Sequence, residues 1–149
     1  MLRYEASASI GAPIDSIWPI LSDVVRWNRW TPTILSVEAL DGDEIAPGRR
    51  FRVQQPRLRP TIWRVASVDP PNRFVWEARA LGTRMTADHV LARTAPGETA
   101  LTLAFSFAGP LGGLVGRMTA RLVQEYLDTE AASLRGLSES RAPGTSSAR

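Results

Sequence analysis

The sequence predicts an α+β domain in which one long C-terminal helix lies against a curved antiparallel sheet. Three observations carry that prediction. Residues 34 to 107 read as strand after strand, separated by short turn signals. Residues from about 111 to 138 carry the longest helical periodicity in the chain. Between the first strand and the strand-rich stretch stand two short helical segments.

The elements follow in order. Residues 2 to 10 place Leu2, Tyr4, Ala6, Ala8 and Ile10 on one face and Arg3, Glu5, Ser7 and Ser9 on the other, the period of a half-buried strand. "PIDSIWPILSD" then reads as a helix. Pro13 suits its first turn, Asp15 complements its positive end, and Ile14, Ile17, Trp18 and Leu21 form one stripe. Pro19 removes an internal hydrogen bond, so this helix is short or kinked. Ser22 or Asp23 can cap a second short helix, "VVRWNRW", before Pro32 stops it. On it Trp27 and Trp30, three residues apart, share a face. They pin that helix to the sheet, or one of them gates an opening.

Six strands come next. Leu35, Val37 and Ala39 alternate, then Phe51 and Val53 lead to the "PRLRP" turn. Trp63 and Val65 point inward before "DPPN", a turn that no central strand tolerates. Phe74, Trp76, Ala78 and Ala80 form the next inward set; the strand holding Met85, Ala87, His89 and Leu91 follows; and Leu101, Leu103, Phe105 and Phe107 complete the sheet. Short turns imply antiparallel neighbours. In the closing helix Leu111, Leu114, Val115, Met118, Leu122, Tyr126 and Leu137 recur at spacings of three and four, which predicts them as its inward face. The domain is expected to span residues 1–139, with a disordered tail over 140–149.

Composition excludes several chemistries. The 149 residues allow about one domain, and 44% apolar with 22% charged residues is the balance of a globular protein. No apolar run approaches the ~18 residues of a membrane span, and the first residues lack a secretory layout, so a cytoplasmic location is expected. There is no cysteine and a single histidine, which rules out disulfides, thiolate nucleophiles and zinc-thiolate or multi-histidine metal sites. Every basic residue is arginine, so lysine Schiff-base chemistry and a phosphate-loop lysine are absent. The net charge of +3 is modest and the arginines are dispersed, so no nucleic-acid partner is expected.

That lone histidine lies in "RMTADHVLA". Its parity is that of Met85, Ala87 and Leu91, so His89 points to the apolar face. There it bonds a neighbouring polar group, anchors an occupant, or accepts a proton as a neutral imidazole. The residues alone leave these open.

The order of elements, with "APIDSIWPILSDVVRWNRWTP", "VDPPNRFVWE", "PGETALTLAFSFAGPLGGLVG" and the amphipathic ending, resembles the polyketide cyclase/dehydrase and lipid-transport branch of the START-like (SRPBCC, pollen-allergen-like) superfamily. The resemblance implies a helix-grip fold, a seven-stranded sheet curled around the C-terminal helix, with a hydrophobic cavity between them. It implies an apolar ligand such as a lipid, sterol, quinone or polyketide, and no cofactor. The cavity walls would be Trp30, Phe51, Val53, Trp63, Trp76, Met85, His89, Leu103, Phe105, Met118 and Leu122. Binding or transport would use His89 as polar anchor. A cyclase/aromatase or dehydratase-like enzyme would use His89 as base and Tyr126 as acid. A quinone- or ribosome-associated role would use the arginine-rich "RRFR" and "RLRP" hairpin, through Arg50, Arg52, Arg57 and Arg59. Either a monomer or a homodimer is compatible with these readings.

Overall fold

The computed structural model describes residues 2–141. Strand β1 (Leu2–Ile10) leads into helix α1 (Ile14–Ser22) and a 3-10 helix (Val24–Arg29). Then come β2 (Ser36–Ala39), β3 (Arg50–Gln54), β4 (Thr61–Asp69), β5 (Arg73–Ala80), β6 (Thr83–Ala95), β7 (Glu98–Ala108) and helix α2 (Gly112–Arg141). Helix α2 runs two residues into the stretch expected as tail, and the rest of that stretch, 142–149, lies outside the described residues.

The sheet order is β1-β7-β6-β5-β4-β3-β2, with every pair antiparallel. Strands β2 to β7 form a meander because each connection is too short to cross over. Strand β1 then closes onto β7, Leu2 opposite Phe107 and Ile10 opposite Thr99. This is the helix-grip architecture. The alternation read from the sequence appears as burial: in β5, Phe74, Trp76 and Ala78 are buried while Arg73 and Arg79 are exposed. Leu35 is an exception, exposed just before the start of β2.

Register stacks these side chains in layers across the sheet. Phe74 faces His89, which faces Leu103; Trp76 faces Ala87, which faces Phe105. Under α1 the packing is dense, with Ile10, Ile14, Ile17, Leu21, Leu91, Leu101 and Leu134 all fully buried. The Thr99 hydroxyl donates to the Ala12 carbonyl at 2.8 Å, tying β7 to the entry of α1.

Helix α2 corrects the expected inward face. Its buried residues are Gly112, Gly116, Val123, Leu127, Ala131, Leu134 and Ser138, whereas Leu111, Leu114 and Met118 are exposed. The cause is close approach. A Cβ on Gly116 would lie 2.9 Å from Leu2 Cδ1 and 3.1 Å from the Phe107 ring, and one on Gly112 would lie 3.2 Å from the Phe107 carbonyl carbon. Where the backbone sits this near the sheet, only glycine fits inward and the larger apolar residues are turned outward.

The corner before α2 has its own requirement. Gly109 has φ +96, and a Cβ there would meet the Gly82 carbonyl oxygen at 2.7 Å. The same carbonyl accepts the Leu111 N–H at 3.1 Å. Gly109→Ala is therefore expected to destabilise the fold by about 1–3 kcal/mol, through both the backbone region and the clash. Urea unfolding checks this; an unchanged midpoint refutes it.

Candidate ligand-binding site

A cavity of about 70 Å³ lies between the sheet and the middle of α2. Its walls are Trp63, Trp76, Ala87, His89, Leu103 and Phe105 from the strands, and Val123, Tyr126, Leu127 and Glu130 from α2. Trp27, Ile34, Val53, Gln55, Leu58, Asp88 and Ala104 complete it, and exposed Leu58 marks the mouth at the β3–β4 hairpin. The void follows from register: small Ala87 lies between Trp76 and Phe105. Trp63 stacks on Trp76 with centroids 5.7 Å apart, and Phe105 meets Trp63 edge-on at 5.6 Å. Rings held this way do not collapse onto a methyl group, so the space above Ala87 stays open. It suffices for a few water molecules.

His89 is 5% exposed and stacks flat on Phe74, centroids 4.1 Å apart. Trp27 and Trp76 pack around it at 5.5 and 5.9 Å. Its Nδ1 lies 3.2 Å from the Phe74 carbonyl oxygen, which can only accept, so Nδ1 carries the proton. Nε2 is left as a lone pair. Burial drives the imidazole pKa from 6.5 down to about 4, because the charged ring would lose its hydration; the Phe74 bond and the Asp88 charge offset only part. His89 is neutral at physiological pH.

Glu130 is the group that strand parity did not reveal. It sits on α2 one turn from Tyr126 and Leu134, and the only trace in the sequence is that spacing of four from two apolar positions. Its carboxylate accepts the Thr33 hydroxyl at 2.7 Å. Thr33 Oγ1 lies 3.0 Å from Thr31 Oγ1, and the Thr33 N–H donates to Thr31 Oγ1 at 3.4 Å. Since the Thr33 proton is committed to Glu130, Thr31 donates to Thr33, and both hydroxyl dipoles point toward the acid. Burial raises the Glu130 pKa from 4.5 to about 7, with the Thr33 hydroxyl opposing it. Its side chain retains some exposure, and that face opens on the cavity.

Among the residues expected as walls, the cavity brings together Val53, Trp63, Trp76, His89, Leu103 and Phe105. Phe51 and Met85 instead pack into the core beside it. Trp30 is also outside the lining, and Trp27 takes its place: the two rings meet edge-on at 6.0 Å, with Trp27 buried on the inner side. The Trp27 indole N–H is held by the Leu21 carbonyl at 2.9 Å. Met118 is 77% exposed and Leu122 lies off the lining, both displaced by the glycine-led rotation of α2. Tyr126 reaches the cavity, but its hydroxyl donates to the Pro56 carbonyl. That bond latches α2 to the β3–β4 hairpin and points the phenol proton at the Pro56 carbonyl.

Residues 1–139 match the family model described as polyketide cyclase/dehydrase and lipid transport. The chain belongs to this family. No curated protein matches it significantly. Among solved structures, this cyclase/dehydrase-family chain is similar to the Zhui aromatase/cyclase from Streptomyces sp. R1128, with TM-score 0.76, 20% identity and coverage of 96% of this chain and 98% of that one. It is similar to the protein XoxI from Bacillus cereus, with TM-score 0.76, 11% identity and coverage of 93% and 96%. A START superfamily protein from Mycobacterium smegmatis has TM-score 0.66, 17% identity and coverage of 93% and 97%. At these identities the likeness is one of fold, which is START-like. Among the described residues no helix is long and apolar enough to cross a membrane.

The two buried titratable groups have opposite effects on stability. His89 has its folded pKa lowered, so acid favours the unfolded chain from pH 6.5 downward; Glu130 has its folded pKa raised, so acid favours the folded chain from about 7 downward. Between pH 4.5 and 6.5 folded and unfolded chains hold the same number of protons on this pair, and its contribution is flat. In that window Glu130→Gln should make stability fall with acid by up to about 1.4 kcal/mol per pH unit, and His89→Gln should make it rise by a similar slope. Urea titrations across the window test both signs; parallel profiles for the three proteins would exclude the assignment.

Proposed function

We propose that the chain binds one compact, ring-containing apolar molecule that carries a hydrogen-bond donor, held between the sheet and α2. The observation that carries this reading is the lone pair of His89 Nε2 in a cavity walled by three indoles, with Glu130 on the helix side. Ligand sites commonly combine apolar walls with a few placed polar groups. The donor of the ligand, a phenol for instance, would meet Nε2. Glu130, near its own pKa at neutral pH, can give or accept the second hydrogen bond.

Size refines the reading. A cavity of about 70 Å³ is well below the several hundred Å³ of sites for drug-sized ligands. A molecule of one ring fits with small adjustment. A sterol or a long polyketide needs the hairpin around Leu58 to move, which breaks the Tyr126–Pro56 bond.

A second reading is supported by the pairing of a neutral imidazole with a carboxyl group that is half protonated near pH 7. Nε2 would take the proton from a carbon next to a carbonyl, Glu130 would protonate a β-hydroxyl, and the C–O bond would break to release water and leave a C=C bond. Glu130 thereby replaces Tyr126 as the acid. A role through the arginine-rich hairpin draws less support, because Asp41 pairs with Arg50 at 3.1 Å and Glu125 approaches Arg57 at 3.8 Å.

Trp27, Trp63 and Trp76 report occupancy through their emission, so phenol can serve as the probe. Ala87→Leu places about three extra carbons in the void and should weaken phenol binding on the order of tenfold or more without loss of thermal stability. Unaltered binding in that variant would remove the cavity as the site. With a β-hydroxyketone as substrate, Glu130→Gln should lower turnover by about 100-fold while phenol still binds; a substrate that is bound and never dehydrated leaves binding as the function.

A further inference from the structure

We propose that the end of the molecule formed by the β5–β6 turn and the first three turns of α2 docks on an anionic phospholipid bilayer. The reading is separate from the cavity, since none of the side chains involved lines it. Leu81 at the turn is 84% exposed, and Leu114 and Met118 on α2 are 59% and 77% exposed. Leu111 joins the two parts. It is 44% exposed, its side chain lies over Gly82, and its N–H donates to the Gly82 carbonyl. Residues 111, 114 and 118 recur at helical spacing, so they form one stripe on the side of α2 opposite buried Gly112 and Gly116. Single exposed leucines are ordinary; large apolar side chains gathered at one end of a fold are not.

The charges around this stripe are of one sign. Arg117 and Arg121 flank it on α2, and Arg79 and Arg84 flank the turn, all four exposed. No carboxylate lies within ion-pair distance of any of the four among the described residues. Arg79 and Arg84 are direct cross-strand partners, an arrangement that repels unless an anion intervenes. The nearest acid on that strand face, Glu77, is two residues back and pairs with neither. On α2 the first acid is Glu125, beyond the stripe. Exposed apolar side chains with unpaired arginines at the same end of the molecule complement an anionic lipid surface, where leucine and methionine enter the interfacial layer and guanidinium groups meet phosphates. A protein partner of mixed charge has no such need for a surface free of acids.

Vesicle flotation tests this with the intact chain, comparing phosphatidylcholine vesicles with vesicles containing about one-third phosphatidylglycerol. The protein should float with the anionic vesicles and not with the neutral ones. Leu114→Glu combined with Met118→Glu should reduce the bound fraction about tenfold or more, as should Arg117→Glu combined with Arg121→Glu. Thermal unfolding and phenol binding should remain as in the unaltered protein, because these side chains lie in solvent and away from the cavity. Absence of flotation, equal flotation with both compositions, or flotation indifferent to the Leu114/Met118 change overturns the proposal. So does a dimer in sedimentation velocity that Leu114→Glu dissociates, which would make the face a contact between two copies.

Discussion

The distance between α2 and the sheet is the constraint on which the rest of this structure depends. At its start the helix is drawn in until only Gly112 and Gly116 fit against Phe107 and Leu2. Further along, the inward positions hold Val123 and Leu127, and side chains of that size keep the helix axis farther from the strands. A helix close at one end and spaced at the next leaves a gap in between. Ala87, the small residue in a row of rings, places the gap beside His89. The same rotation turns Leu111, Leu114 and Met118 toward solvent, so the cavity and the exposed stripe have a common origin.

Within that gap the protein keeps two groups that an apolar core would not retain for stability. Burial of His89 and Glu130 costs free energy in one protonation state of each, and the shifts are in opposite directions. Perturbed groups facing one cavity make it a candidate site. The partners that hold them are backbone and hydroxyl groups: the Phe74 carbonyl fixes the tautomer of His89, and the Thr31–Thr33 chain aims two hydroxyls at Glu130. Neither is an ion pair, so proton affinity in the site is set mainly by desolvation and hydrogen bonding, with a smaller effect of the Asp88 charge on His89.

Family membership and site chemistry address different levels. The solved structures reported above share the helix-grip fold at 11–20% identity, which says how the strands and helix are arranged. It does not say what occupies the space between them, because function resides in particular side chains on the common frame. In this chain the side chains that face that space include three indoles, an imidazole, and a carboxyl group contributed by α2.

Much of the architecture was legible in the sequence, because hydrophobic periodicity is a local property. The two-residue period marked the strands and placed His89 on the inner face, and the absence of cysteine and lysine removed whole classes of chemistry. What periodicity could not convey was proximity. It ranks positions on a helix by hydrophobicity, so it chose Met118 and Leu122 over Gly112 and Gly116, whose inward role comes from the closeness of the sheet. It likewise missed Glu130, since a carboxyl group reads as solvent-facing until Thr33, 97 residues away in the chain, is seen to bond it. It also gave no sign that the Tyr126 hydroxyl donates to the Pro56 carbonyl, 70 residues earlier in the chain. The chain's pattern determined which faces are apolar; only the tertiary structure decided how near those faces come, and that separation sets both the cavity and its chemistry.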